Sequence, residues 1–191
     1  SRVDYDAYGN VQREWTYVQT DGETKKYAVR TYTYDLLGRV LTAKEYEGLY
    51  AYGATLGDAY ATTTYAYEQD RQTDGRYSNV MTTADGLRTV TTYNQLDQVI
   101  KEEQYGKDNA SGAQTQGKYM AKEWTYDGYG RQVSMQAWDG EDMVERVSYT
   151  YDLYDRVVRE EQDASHYTTY AYDHMNRTKR TEVHSVVNGQ A

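Results

Sequence analysis

The chain has 191 residues with no Cys, Pro or Phe, and only 25 Leu, Ile and Val together, so disulfides, thiol chemistry and a conventional aliphatic core are excluded. A net charge of −9 with no basic run repels phosphate and argues against nucleic acid, and no apolar stretch approaches the roughly 20 residues that cross a bilayer as a helix. What remains for a core is 24 Tyr and 3 Trp, which with abundant Thr favour strands and bury rings while keeping a polar edge wet.

Read along the chain, a Tyr followed by an acid or amide recurs at Tyr5-Asp6, Tyr34-Asp35, Tyr67-Glu68, Tyr93-Asn94, Tyr126-Asp127, Tyr151-Asp152 and Tyr172-Asp173. Successive separations of 29, 33, 26, 33, 25 and 21 residues imply fixed strand ends joined by loops of different length. Two residues before each anchor stand Val3, Tyr32, Tyr65, Thr91, Trp124, Tyr149 and Tyr170. Positions two apart share a strand face, so most anchors present a pair of large side chains. Three residues after stand Tyr8, Leu37, Asp70, Leu96, Tyr129, Tyr154 and Met175, all but Asp70 bulky enough to fold over that pair. Four after stand Gly9, Gly38, Arg71, Asp97, Gly130, Asp155 and Asn176, mostly residues that tolerate positive φ. Five after stand Asn10, Arg39, Gln72, Gln98, Arg131, Arg156 and Arg177.

These columns predict a strand, a tight Asx-type turn and a second strand at each anchor, with the copy at Tyr67 degenerate. At the far ends of the hairpins, Asp139-Gly140 lies between two alternating runs and predicts a hairpin turn. Asp21-Gly22, Asp74-Gly75 and Asp85-Gly86 are placed alike, and residues 50–57 and 105–118 read as longer loops. No segment shows a helical period with caps. The expectation is all-β: residues 1–191 as one array of about seven antiparallel hairpins in a curved sheet, without a separate catalytic domain. Tyr34, Tyr126, Tyr151 and Tyr172 are expected to be largely buried.

The run Tyr34-Asp35-Leu36-Leu37-Gly38-Arg39-Val40 resembles the YD-repeat consensus of Rhs proteins. The signature recurs at Tyr126-Asp127-Gly128-Tyr129-Gly130-Arg131, and more weakly at Tyr151-Asp152-Leu153-Tyr154-Asp155-Arg156 and Tyr172-Asp173-His174-Met175-Asn176-Arg177. In that family, which includes bacterial Rhs polymorphic toxins, insecticidal toxin complexes and teneurins, hairpins join side by side in a sheet that spirals into a hollow shell. In the toxins the shell holds an effector. The resemblance implies a structural, non-enzymatic role in a secreted or cell-surface protein. Its partners would be neighbouring YD repeats of the same parent chain and an enclosed toxin effector. Two departures stand out: no Pro-containing self-cleaving core and no non-repetitive C-terminal domain. The chain therefore resembles a slice of shell wall, with no leader before Val3 and with Val183, Val186 and Val187 awaiting a further hairpin.

No cofactor or metal is expected. His166, His174 and His184 are spaced by 8 and 10, which matches no common zinc pattern, and there is no Cys to complete a site. Glu102-Glu103 and Glu160-Glu161 sit at the same offsets from their anchors, but adjacent strand residues face opposite ways and cannot flank one glycosidic bond. They read as acids that keep the sheet faces wet. Arg39 with Asp35 and Arg131 with Asp127 could pair across a turn for at most about 1 kcal/mol, or the guanidinium could stack on a ring. The alternative function is a surface adhesion module that binds glycan or protein. Its candidate contacts are Tyr50, Tyr52 and Tyr60, aromatics outside the anchor columns. Asn109-Ala110-Ser111 and Asn176-Arg177-Thr178 match the glycosylation acceptor pattern.

Overall fold

The computed structural model describes residues 1–107 and 114–185. All of the regular structure there is β-strand, with no helix. The strands are β1 (Arg2–Tyr5), β2 (Val11–Asp21), β3 (Thr24–Tyr34), β4 (Val40–Tyr46), β5 (Tyr50–Ala51), β6 (Ala59–Gln69), β7 (Tyr77–Thr82) and β8 (Arg88–Tyr93). They continue as β9 (Val99–Lys107), β10 (Gln114–Tyr126), β11 (Gln132–Asp139), β12 (Asp142–Tyr151), β13 (Val157–Asp163), β14 (His166–Tyr172) and β15 (Thr178–Ser185). The chain divides into two compact units, Ser1–Val90 with Tyr105–Thr115 and Thr91–Gln104 with Gln116–Ala191.

In the first unit the antiparallel order is β1-β2-β3-β4-β6-β7, with β5 added to β3 beside Lys26 and Tyr27. In the second it is β10-β11-β12-β13-β14-β15. β8 and β9 pair with the strands next to them in sequence. Within each unit every hairpin thus lies beside the next, as the alternation of anchors and Gly-containing turns predicts.

The register carries a feature that the sequence columns do not show. Where Thr33 faces Thr42, Tyr34 faces Val40, so Leu41 is an extra residue on β4. The same slip follows Tyr5, Tyr126, Tyr151 and Tyr172, leaving Gln12, Val133, Val158 and Lys179 as the extra residues. These five anchors therefore close their hairpins on a β-bulge, which bends the second strand and interrupts its ladder.

The buried core is small. In the first unit Trp15, Tyr27 and Val29 are buried, with Tyr46, Tyr50 and Leu56 packed against them. Trp15 and Tyr27 meet edge to face at 6.3 Å. Among the described residues of the second unit the buried side chains are Ala121, Ala137 and Val147, so there the core is not made of rings.

Two further expectations need correction. The anchor tyrosines Tyr34, Tyr126, Tyr151 and Tyr172 are half-buried, not largely buried. Their hydroxyls reach along the sheet to backbone, which keeps each ring lying on a sheet face. The bulky residues three after the anchors do not fold over the rings: Tyr8 and Tyr129 are each 87% exposed, and Leu37, Leu96, Tyr154 and Met175 are also exposed. They occupy turn positions whose side chains point off the end of the hairpin. Residues 50–57, expected as loop, contain β5, and of residues 105–118 the ends belong to β9 and β10. Residues 108–113, with the Asn109-Ala110-Ser111 pattern, lie outside the described residues, as do Val186 and Val187.

Truncating a half-buried anchor removes apolar area and one hydrogen bond. Tyr126→Ala should lower unfolding free energy by about 3 kcal/mol, the low end of the range for large aromatic deletions. Urea denaturation followed by Trp fluorescence checks this, and an unchanged midpoint would contradict it.

Candidate functional site: the ladder of anchor turns

Each anchor turn is built around one carboxylate or amide. The Asp35 amide donates to the Arg39 carbonyl (2.9 Å), and the Gly38 amide donates to the Asp35 carbonyl (3.1 Å). Asp35 Oδ1 accepts the amides of Leu37 and Arg39, both at 2.9 Å, and Oδ2 accepts Arg39 Nε at 2.7 Å. Asp127, Asp152 and Asp173 make the same set. Asn94 and Asp6 reproduce the two amide contacts with Gln98 and Asn10 in the Arg position. The fourth residue has positive φ in all six: Gly9, Gly38, Asp97, Gly130, Asp155 and Asn176. That is the column from which glycine, aspartate and asparagine were expected to supply the left-handed conformation.

The copy at Tyr67 departs in an informative way. Glu68 and Asp70 take positive φ, and the same backbone turn forms four residues late, between Gln72 and Arg76 through Gly75. Asp74-Gly75 therefore belongs to the anchor end of its hairpin, not the far end. Asp85-Gly86 lies at a far end as expected, yet Thr83–Leu87 uses this five-residue form too. The turns at Gly22 and Gly140 are two-residue loops, each with glycine at positive φ in the first central position.

The hydroxyls of five anchor tyrosines tie their hairpins to the one before. Tyr34 donates to the Val11 carbonyl at 2.7 Å, Tyr67 to Val40 at 2.8 Å and Tyr126 to Val99 at 2.7 Å. Tyr151 donates to Gln132 at 2.6 Å and Tyr172 to Val157 at 2.7 Å. Every acceptor is the sixth residue after the previous anchor tyrosine. In four of these junctions the last paired residue lies two positions beyond the acceptor, as with Thr42↔Thr64 beside Val40. The backbone ladder ends there, and the tyrosine hydroxyl takes the next carbonyl in its place.

The residue five after the anchor also reaches forward. Arg39 stacks on the Tyr67 ring at 4.5 Å and donates to Glu68 at 3.0 Å. Arg131 lies over Tyr151 at 4.6 Å and donates to Asp155 at 2.7 Å; Arg156 lies over Tyr172 at 4.6 Å and donates to Asn176 at 3.0 Å. One guanidinium thus performs both roles anticipated for it, pairing with its own acid and stacking on a ring, and the ring belongs to the next repeat. Where Gln98 replaces Arg, its Nε2 donates to the Gly130 carbonyl at 2.9 Å. Gly130 sits against this amide and Gly38 against Asn10, so a side chain on either glycine would press on the preceding repeat as well as strain the turn.

A second contact runs between Tyr32 and Glu14 and between Tyr170 and Glu160, each hydroxyl donating to a carboxylate at 3.3 Å. These tyrosines stand two before their anchors, and the acids stand nine after the previous anchor. The offset shared by Glu14, Glu102 and Glu160 was visible in the sequence; its tie to the preceding tyrosine column was not drawn from it.

The turn carboxylates are held ionised by these contacts. The Arg39 amide first, and then its guanidinium, keep Asp35 below the ordinary carboxylate range. The Arg156 side chain does this for Asp152, and the Arg177 amide followed by its side chain for Asp173. Burial pushes the hydroxyls of Tyr34 and Tyr126 up, so they stay protonated donors.

Tyr52 meets Trp15 edge to face at 5.2 Å and donates to Asp4 at 2.8 Å, while Tyr50 packs against the buried cluster and donates to the Glu47 carbonyl at 3.0 Å. These two rings cover Trp15. Tyr60 is exposed and donates to Glu45 at 2.8 Å. His166 pairs with Asp163 at 2.9 Å, His184 stacks on Tyr167 at 4.3 Å, and His174 lies exposed in a turn. Among the described residues no cluster of three His, Cys, Asp or Glu could hold a metal.

No family model matches the sequence, and no curated protein does. Among solved structures, the chain is similar to TcdB2-TccC3-Cdc42 (14% identity, TM-score 0.39), covering 88% of this chain and 10% of that one. The same figures describe its similarity to the Photorhabdus luminescens Tc holotoxin pore. A porin-like protein from Bacteroides uniformis is similar at 18% identity and TM-score 0.37, covering 86% of this chain and 60% of that one. The chain spans about a tenth of the toxin-complex chains. At these identities and TM-scores the similarities establish neither family nor function.

A carboxylate whose pKa is depressed on folding stabilises the fold above its unfolded value and loses that contribution as pH falls through the folded value. Melting temperature should therefore hold from pH 7 to about 5 and drop below about 4, the ordinary aspartate value. Asp152→Asn should shrink that drop, since Asn94 shows that an amide supports the turn without charge. Calorimetry across pH checks this, and a melting temperature constant down to pH 2 would contradict it.

Proposed function

We propose that this chain is a segment of Rhs-type shell wall, a non-enzymatic scaffold in a secreted or cell-surface protein that contains a polypeptide effector. The carrying observation is the directional coupling of five hairpins to the one before, through Tyr34, Tyr67, Tyr126, Tyr151 and Tyr172. The conspicuous residues of the sequence are spent on this coupling: these five anchor tyrosines, the turn acids and their arginines bond one another or the backbone. A wall needs a unit that can be repeated at will, with stability set by nearest-neighbour contacts. The resemblance of residues 34–40 and 126–131 to the YD consensus supports the same reading.

The parent reading frame offers the test. Expressed with its downstream segment, the intact protein should protect that segment from trypsin until urea unfolds the array. Equal digestion before and after unfolding would contradict containment.

A further inference from the structure

The second tyrosine contact fails at two junctions, at Tyr65 and at Tyr149, where Ala43 and the larger Met135 stand in the place of the acid. Tyr32 donates to Glu14, which lies opposite Arg30, and Tyr170 donates to Glu160, which lies opposite Thr168. The corresponding residue for Tyr65 is Ala43, opposite Thr63. The carboxylate is missing, and the Tyr65 hydroxyl has no hydrogen-bond partner among the described residues. No buried polar atom is left unsatisfied, so this hydroxyl faces solvent. A notch of about 500 Å³ opens there, lined by Tyr32 and Tyr65, with Ala43 and Thr63 between them and the Arg30–Glu45 pair (2.5 Å) also in its wall. That volume falls within the roughly 300–1,000 Å³ of small-molecule sites.

We propose that this notch binds a neutral saccharide. Two half-buried rings offer apolar surface for the C–H face of a sugar, and the free Tyr65 hydroxyl and Thr63 offer hydrogen bonds to its hydroxyls. The charges of the wall favour no ionic ligand. Glu45 is kept ionised by the Tyr60 hydroxyl and by Arg30, Asp85 lies in the same wall, and the one arginine is already paired with Glu45. With Lys44 also in the wall, two cations face two acids, and a lining whose charges balance suits an uncharged ligand. None of the three tyrosines anticipated as glycan contacts lines this notch; Tyr60 only bonds Glu45 in its wall. The site stands on the local vacancy and does not depend on whether the chain walls a container.

The test uses the 191-residue chain, neutral trisaccharides of glucose, galactose and mannose, and trigalacturonate as the acidic counterpart, read by saturation-transfer NMR and titration calorimetry. At least one neutral trisaccharide should bind with a dissociation constant of about 1 mM or tighter. Ala43→Glu restores the carboxylate found at Glu14 and Glu160, so it should weaken binding at least tenfold while melting temperature holds or rises. Tyr65→Phe removes only the free hydroxyl and should weaken binding without changing melting temperature. Absence of neutral saccharide binding, binding indifferent to both variants, or preference for trigalacturonate would each overturn the proposal.

Discussion

A tyrosine hydroxyl donating to a carbonyl beyond the end of a backbone ladder is the contact on which the rest of this structure depends. The bulge after five of the anchors bends the second strand, so the next hairpin cannot pair with it to the end. A phenol is long enough to cross the gap and carries one donor at its tip, and its ring covers the backbone that it spans. Each such bond is worth about 0.5–1.5 kcal/mol net, modest alone. Repeated at junction after junction, it sets how each hairpin sits on the previous one. A phenylalanine would supply the ring without the donor and leave the carbonyl to water, which gives a physical reason for a chain with 24 Tyr and no Phe.

The arginines complete this logic. A guanidinium that pairs with its own aspartate is oriented by that pairing, and its plane then lies over the next tyrosine ring, as Arg131 lies over Tyr151. The contact is more than an exposed ion pair because the same group bonds two turns and stacks on a ring. Asn10 and Gln98 keep part of the reach without the charge. A chain with few aliphatic residues can therefore remain ordered with little buried volume, since much of its stability lies in hydrogen bonds and ring contacts spread along the array.

The turns were legible in the sequence because their constraint is local. Positive φ at the fourth position and an acceptor at the first leave few residue choices, and Asp35 with Gly38 or Asp173 with Asn176 display them directly. The displaced turn at Gln72 was misread because it begins at an amide four residues beyond the acceptor column, and a Gly appeared where a far-end turn was expected. Half-burial of Tyr34 and Tyr126, and exposure of Tyr8 and Tyr129, depend on what lies above the sheet face, which periodicity within a strand does not report. The pairing of β5 with β3, with Tyr50 and Tyr52 over Trp15, is likewise a contact between segments distant in sequence. The notch at Ala43 was hidden for a different reason: a missing side chain has meaning only once Tyr32 is seen on Glu14.

Native-state hydrogen exchange on Tyr151→Phe tests the central claim most directly. Loss of one hydroxyl should speed exchange in the hairpin of β12 and β13 and, across the junction, in the anchor turn of β10 and β11 around Gln132, with melting only slightly lowered. Exchange unchanged in the β10–β11 turn would contradict the account, because the hairpins would then be held together by something other than the tyrosine hydroxyl.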